Sequence, residues 1–303
     1  MKRSAATVTT TTVTTSAGPV EADVRGDGRP VLVLHGSPGG IDQARAMSQF
    51  LLPDGPSASG FTAIRVSRPG YLATPLDPAG SSIDHEADRL AAVLDAVGVE
   101  RAGVLAYSGG GPSAYRLAVR HPGRVSAIVA IAAVSSRYVA PAPTATDRFM
   151  FGTRAGQWLL GFLARRAPGQ VVEGALASEG SLRGEELKTA AAAAMADPEQ
   201  RAAILALAIT TGWRGPRKAG WDNDLANYAA IGSLELGRVR CPVLLIHGEA
   251  DTDVPVGHSQ AAHSALPDAT IVVMERGTHL AFYAHPDARA VQDQARKWFT
   301  LHA

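Results

Sequence analysis

Ala106-Tyr107-Ser108-Gly109-Gly110 is the stretch on which the reading of this chain turns. It ends the apolar run Gly103 to Ala106 and opens a segment of helical spacing from about Pro112 to Arg120. A serine on so tight a strand-to-helix turn is lifted above the sheet. Its neighbours must be small, because larger side chains would strike the strand and helix backbones. Alanine stands at 106 where the G-x-S-x-G form of this turn has glycine, and it is the next smallest residue.

Short apolar runs recur on both sides of this turn: Val31 to Leu34, Phe61 to Val66, Val125 to Ala133, Val243 to Ile246 and Thr270 to Met274. They are too brief for helices and lack strict alternation, as expected of parallel strands buried on both faces. Between the earlier runs lie helical segments, clearest over Ile83 to Val97, with Ser81, Ser82 and Asp84 at its start and Gly98 as its stop. Alternating strand and helix predicts a doubly wound α/β sheet with helices on both faces. The threonine- and valine-rich opening, to about Val24, suits one or two antiparallel edge strands.

The alternation breaks at about Arg137 and resumes at about Arg240. Between them Ala155 to Ala164, Gly184 to Ala196 and Gln200 to Ala208 have helical character and no convincing strand appears. The expected organisation is a core of residues 1–138 and 238–303 with an inserted helical cap over 139–237. Trp158, Trp213 and Trp221 fall in the cap and either line a substrate cavity, with Trp213 the candidate contact, or pack the cap onto the core. Packing is the expectation for any one of them.

The chain has 303 residues, 29 basic against 28 acidic, and 46% hydrophobic content, enough for a substantial core and too balanced in charge to draw it onto nucleic acid. Cys241 is the only cysteine, which excludes an intramolecular disulfide and a thiolate metal cluster, and its place before an apolar run reads as a packed thiol. Met1 to Ser16 carries Lys2 and Arg3 and then mostly threonine, so it does not read as a signal peptide; a cytoplasmic location is the expectation. No apolar run approaches the ~20 residues needed to span a bilayer, so no membrane partner is expected. A homodimer is kept open.

Three further loops follow apolar runs and should meet at the carboxyl edge of the sheet, where open α/β sheets gather ligands. His35-Gly36-Ser37-Pro38-Gly39-Gly40 can bring a backbone amide close to a ligand without obstruction, and in an acyl-transfer enzyme that amide would face the oxyanion. His35 itself stands at the wrong strand for a base and is expected to make structural hydrogen bonds. Ile246-His247-Gly248-Glu249-Ala250-Asp251 and Gly277-Thr278-His279 supply an acid and an imidazole. The order Ser108, Asp251, His279, each at a strand end, predicts a nucleophile, an acid that fixes the tautomer of the base, and the base. Asp253 is a rival acid, with Asp251 preferred.

With these four motifs and Ser67-Arg68-Pro69-Gly70-Tyr71, the chain resembles a capped serine hydrolase of the α/β-hydrolase superfamily, from about Val31 to His279. The resemblance implies an eight-stranded, mostly parallel sheet and an oxyanion hole built from the backbone amides of Ser37 and Gly109. It also implies no metal and no organic cofactor. Because both hole donors are backbone groups, removal of the Ser37 side chain is expected to cost little. Serine at the elbow sets aside relatives with an aspartate nucleophile, and Gly109 sets aside the proline-amide peptidases, which have tryptophan there. The implied activity is hydrolysis of a carboxylic ester or lactone of a small, largely apolar molecule through an acyl-enzyme on Ser108. Tyr107 and Leu280 either shape its pocket or simply pack. Carbon-carbon bond hydrolysis, acyl transfer and non-catalytic ligand binding on the same fold remain as alternatives.

Overall fold

The computed structural model describes residues 11–52, 60–78 and 80–303. The opening stretch Met1 to Ser16 is thus described only from Thr11 onward, and its first ten residues lie outside the described set. Eight strands form one sheet: β1 (Thr11–Thr15), β2 (Gly18–Gly26), β3 (Arg29–Leu34), β4 (Phe61–Val66), β5 (Ala102–Tyr107), β6 (Val125–Ile131), β7 (Val243–Gly248) and β8 (Ala269–Met274). Their order is β1-β2-β4-β3-β5-β6-β7-β8. β2 runs antiparallel to both β1 and β4, and every other neighbouring pair is parallel. The expected α/β fold, with an eight-stranded and mostly parallel sheet, is the one observed.

The burial of each strand follows from its place. β5, β6 and β7 are buried at every residue, as near-continuous apolar runs covered by helices on both faces must be. β8 and the threonine-rich β1 are the two edges and are largely accessible. Two apolar clusters lie on opposite faces. One packs α2 (Ile83–Ala96) and α3 (Gly111–Arg120) onto the sheet and holds the buried Cys241; the other packs α1 (Ile41–Met47) and the C-terminal helix Ala288–His302.

Between β6 and β7 the chain forms six helices: α4 (Ala145–Gly152), α5 (Arg154–Arg166), α6 (Pro168–Ser178), α7 (Gly184–Ala196), α8 (Pro198–Thr210) and α9 (Lys218–Ala229). Periodicity alone found three of them. The others are short or mixed in pattern: α4 opens on a reciprocal capping box of Thr144 and Asp147, α6 opens on Pro168, and α9 has no side-chain cap. α9 leaves its neighbours and lies on the core loops, with Gly220 N–H donating to Gly70 O at 3.0 Å. Among the described residues no helix is long and apolar enough to cross a membrane.

The parallel strands put the carboxyl ends of β3, β5, β7 and β8 on one edge of the sheet. The loops that follow them carry Ser37, Ser108, Asp251 and His279.

Candidate active site

Ser108 begins the turn between β5 and α3 with φ of 51°, a left-handed conformation unusual for a residue with a side chain. The turn is fixed from two sides: Val134 N–H donates to Ser108 O at 3.1 Å, and Gly110 lies against the end of β3. A methyl on Gly110 would stand 2.8 Å from Leu34 O and 2.9 Å from His35 O, both backbone atoms, so only glycine fits. One on Gly109 would collide with Ser37 Oγ and Tyr228 OH.

Asp251 and His279 meet as anticipated. His279 Nδ1 donates to Asp251 Oδ2 at 2.7 Å, while Asp251 Oδ1 accepts the amides of Asp253 and Val254 at 2.9 and 3.0 Å. His247 Nε2 adds a contact to Asp251 Oδ2 at 3.1 Å. Burial works to raise the Asp251 pKa, but the His279 and His247 interactions outweigh it and hold the carboxyl below its ordinary value. The rival acid Asp253 lies on the other side of the ring, its Oδ2 3.6 Å from His279 Nε2. Burial draws the His279 pKa down, yet Asp251, then Asp253 and Glu179, more than reverse this and push it up to about 10.

Ser108, His279, Asp253 and Glu179 line one cavity of about 70 Å³, together with Ser37, Tyr107, Leu280, and Phe151 and Leu207 from the helical insertion. No hydrogen bond links Ser108 Oγ to His279. Such contacts often close only around bound substrate. Tyr107 packs its ring 5.0 Å from that of His279.

Trp213 does not line this cavity, which corrects its reading as a contact residue: its indole is held between Phe151 and Trp221, at 5.7 and 5.8 Å, and Phe151 fills the place instead. Trp158 does not pack the insertion onto the core either; it is 68% exposed and stacks only on Phe162.

His35 is structural, accepting Arg68 N–H at Nε2 (3.0 Å) and donating from Nδ1 to Gly36 O (2.7 Å). Burial and the nearby Arg68 charge keep it well below its ordinary pKa, hence neutral.

Ser37 differs most from expectation, because its side chain is far from idle. Its Oγ donates to Asp224 Oδ2 at 2.5 Å, accepts from Arg68 Nη1 at 3.1 Å and meets Tyr228 OH at 2.8 Å. Arg68, fully buried, also pairs with Glu86 at 2.6 Å and Asp224 at 2.8 Å, and Tyr228 OH donates to Gly109 O at 2.7 Å. One buried network therefore grips both Ser37 and Gly109, so the Ser37 hydroxyl, expected to matter little, is a bonded member of that network. The backbone N–H of Ser37 has no acceptor among the described residues. That of Gly109 lies in the first turn of a helix, where no intrahelical acceptor exists.

The backbone of the α6–α7 turn is also part of the site. His279 N–H donates to Glu179 O at 2.8 Å, and Ser181 N–H to Ala250 O at 2.8 Å. Sequence reasoning missed Glu179, Asp224 and Tyr228, which lie in the insertion with no motif around them; only Arg68 belonged to a recognised loop. Among the described residues, Glu179, Asp253 and His279 are the only histidine and acid group tight enough to enclose an ion, their ligand atoms lying within 4.8 Å of one another. An ion there would meet the imidazole on the side away from Asp251.

Comparison with known proteins agrees with this fold. Residues 29–286 match the family model for the alpha/beta hydrolase fold. An alpha/beta hydrolase fold protein from Nakamurella multipartita superposes with a TM-score of 0.92 at 43% identity, covering 96% of this chain and 99% of its own. A pimeloyl-[acyl-carrier protein] methyl ester esterase of Aromatoleum aromaticum is 30% identical over 87% of this chain and 96% of its own. A 2-hydroxymuconate semialdehyde hydrolase of Pseudomonas putida is 26% identical over 92% and 91%. The chain belongs to the α/β-hydrolase fold family and is one of its hydrolases.

Proposed function

We propose that this chain is a serine esterase that cleaves a small carboxylic ester through an acyl-enzyme on Ser108. The observation that carries this reading is the serine held in a left-handed turn at the end of β5, opening into the same cavity as an imidazole whose far nitrogen is bonded to a buried carboxylate. The ester carbonyl enters between the amides of Ser37 and Gly109. Ser108 Oγ attacks it while His279 Nε2 takes the hydroxyl proton. Both amides then donate to the oxyanion, and the protonated His279 returns its proton to the leaving alcohol. Water repeats the sequence, giving its proton to His279 and releasing the acid. Tyr107 and Leu280 flank the carbonyl, and no cofactor takes part. A cytoplasmic location belongs to the same proposal.

The test is a fluorophosphonate probe followed by peptide mass spectrometry, with His279→Ala as the comparison. Rapid labelling at Ser108 that collapses in the variant is the expected outcome. Labelling elsewhere, or labelling indifferent to His279, would overturn the assignment.

A further inference from the structure

The cavity at Ser108 gathers more acid than base: among the described residues the imidazole of His279, already bonded to Asp251, is the one basic group beside two further acids. Its lining includes two carboxylates, Glu179 and Asp253, and no lysine or arginine. These two acids are only partly buried, and three acids buried more deeply elsewhere are treated differently: Asp23 meets Arg65, and Glu86 and Asp224 meet Arg68. Among the described residues the Asp253 carboxylate meets the Tyr138 hydroxyl, at 3.2 Å, and the edge of His279. The Glu179 carboxyl has no hydrogen-bond or ion-pair partner among the described residues, although its backbone carbonyl is bonded to His279 N–H. Two acids that share one imidazole beside a nucleophile leave the cleft short of positive charge, which marks it as a place where a cationic ligand group completes the site.

Building on the esterase reading above, we propose that the substrate is an ester whose alcohol part carries a cationic nitrogen, seated between Glu179 and Asp253. The position of the acids assigns the cation to the alcohol and not to the acyl group. His279 Nε2 must deliver its proton to the leaving oxygen, which therefore sits within hydrogen-bond reach of that nitrogen. Asp253 Oδ2 is 3.6 Å from the same atom, and a Glu179 oxygen is within 4.8 Å. The leaving oxygen and both carboxylates thus share one side of the cavity, and an ammonium on a two-carbon spacer beyond that oxygen reaches them. Substrates with a carboxylate in this position are repelled.

The cation would also serve the chemistry. The groups around His279 are Asp251 and Asp253 from the loop after β7, Glu179 from the insertion, and the phenol of Tyr107 from β5. Three of these four are acids, and together they keep the imidazole protonated where a base must be free. An ammonium beside Glu179 and Asp253 opposes that field and lets His279 shed its proton before accepting one from Ser108.

Three acetates of similar shape test this on the full chain: 2-(dimethylamino)ethyl acetate, cationic; 3-methylbutyl acetate, neutral; and 3-acetoxypropanoate, anionic. The cationic ester is expected to exceed the neutral one in kcat/KM by roughly tenfold or more, the discrimination of one charge-assisted hydrogen bond, with the anionic ester slowest. In Asp253→Asn and Glu179→Gln the ratio of cationic to neutral should fall toward one. The acid limb of kcat should lie at lower pH for the cationic ester than for the neutral one. Equal or faster cleavage of the neutral ester by the unaltered protein would overturn the inference without any variant, as would a ratio that neither substitution moves. Cleavage of the neutral ester without charge preference would leave the esterase reading standing. Failure of all three esters, with Ser108 unlabelled by fluorophosphonate, would remove both.

Discussion

Arg68→Leu tests the structural logic of the site more sharply than any change to the reacting groups. The guanidinium is 1% exposed and reaches two carboxylates that are 3% and 2% exposed, so it works where solvent cannot screen it. Leucine approximates its stem and leaves Glu86 and Asp224 facing one another without a cation. Stranding buried charge in this way costs about 3–5 kcal/mol, a large share of the roughly 5–15 kcal/mol that holds a typical domain together. At roughly 2–4 °C per kcal/mol for a chain of this order of size, the melting temperature should fall by about 6–20 °C. Activity should fall separately, because Ser37 Oγ loses the Nη1 donor at 3.1 Å and Asp224 loses the partner that orients it toward Ser37. A displaced oxyanion donor costs about 2.7–4 kcal/mol, or about 10²–10³ in kcat. The assay pairs thermal unfolding by circular dichroism with ester turnover well below the lowered melting point. A charge-free triple variant, Arg68→Leu with Glu86→Leu and Asp224→Leu, separates the two effects: it should recover stability, since no stranded charge remains, yet stay slow, since Ser37 has lost its partners. A melting temperature within about 2 °C of the parent for Arg68→Leu, the shift of a neutral surface change, would refute the reasoning. So would a triple variant restored in kcat.

Gly109→Ala forces a methyl against Ser37 Oγ and Tyr228 OH and should slow fluorophosphonate labelling of Ser108 by about 10²-fold or more, the effect of losing one hole donor; an unchanged labelling rate would contradict the placement of the Ser37 loop. Asp251→Asn removes the charge that most strongly holds up the His279 pKa, so the acid limb of the pH-rate profile should move to lower pH while kcat drops by about 10⁴-fold; a limb that stays in place would show that another group sets it. Glu179 loses water on burial and faces Asp253, which together raise its carboxyl to about 8 from an ordinary 4.5. The folded protein therefore keeps a proton that the unfolded chain releases, and the stability this group contributes is full below pH 4.5 and lost as pH rises through about 8. Thermal melts should accordingly show Glu179→Gln gaining on the parent between pH 5 and 9, and parallel curves would rule the burial account out.

The sheet was legible because its strands are short, apolar and separated by helical periods, and burial on both faces leaves little freedom in what a central strand can contain. Phe61–Val66 was readable to the residue for that reason, and Gly184–Ala196 for the helix propensity of its alanine run. Ser108, Asp251 and His279 were legible because each follows a strand at a fixed edge. The network around Arg68 was not. Asp224 and Tyr228 lie 156 and 160 residues from Arg68 along the chain, and a buried ion pair leaves no local period or spacing to detect. Trp213 stood as a candidate contact with packing preferred, and the choice was open for a related reason: composition shows that an aromatic is present in the insertion, but only packing decides whether Phe151 or Trp213 turns toward the cavity.

These long-range contacts change what the insertion between β6 and β7 does. A lid that only covered a finished site would touch the reacting loops from above and leave their backbones to the core. Here its carbonyl at Glu179 fixes the amide of His279, and its amide at Ser181 fixes the carbonyl before Asp251. Its Asp224 receives the Ser37 hydroxyl, and its Tyr228 donates to the carbonyl of Gly109. Every loop that the proposed mechanism uses is thus bonded to the insertion within one or two residues of its reacting group. Positions that must be held to within about half an ångström for catalysis depend on helices whose sequence shows no motif. Exchange of the insertion between relatives should therefore alter the acid-base and oxyanion geometry together with substrate choice, because the same residues set both.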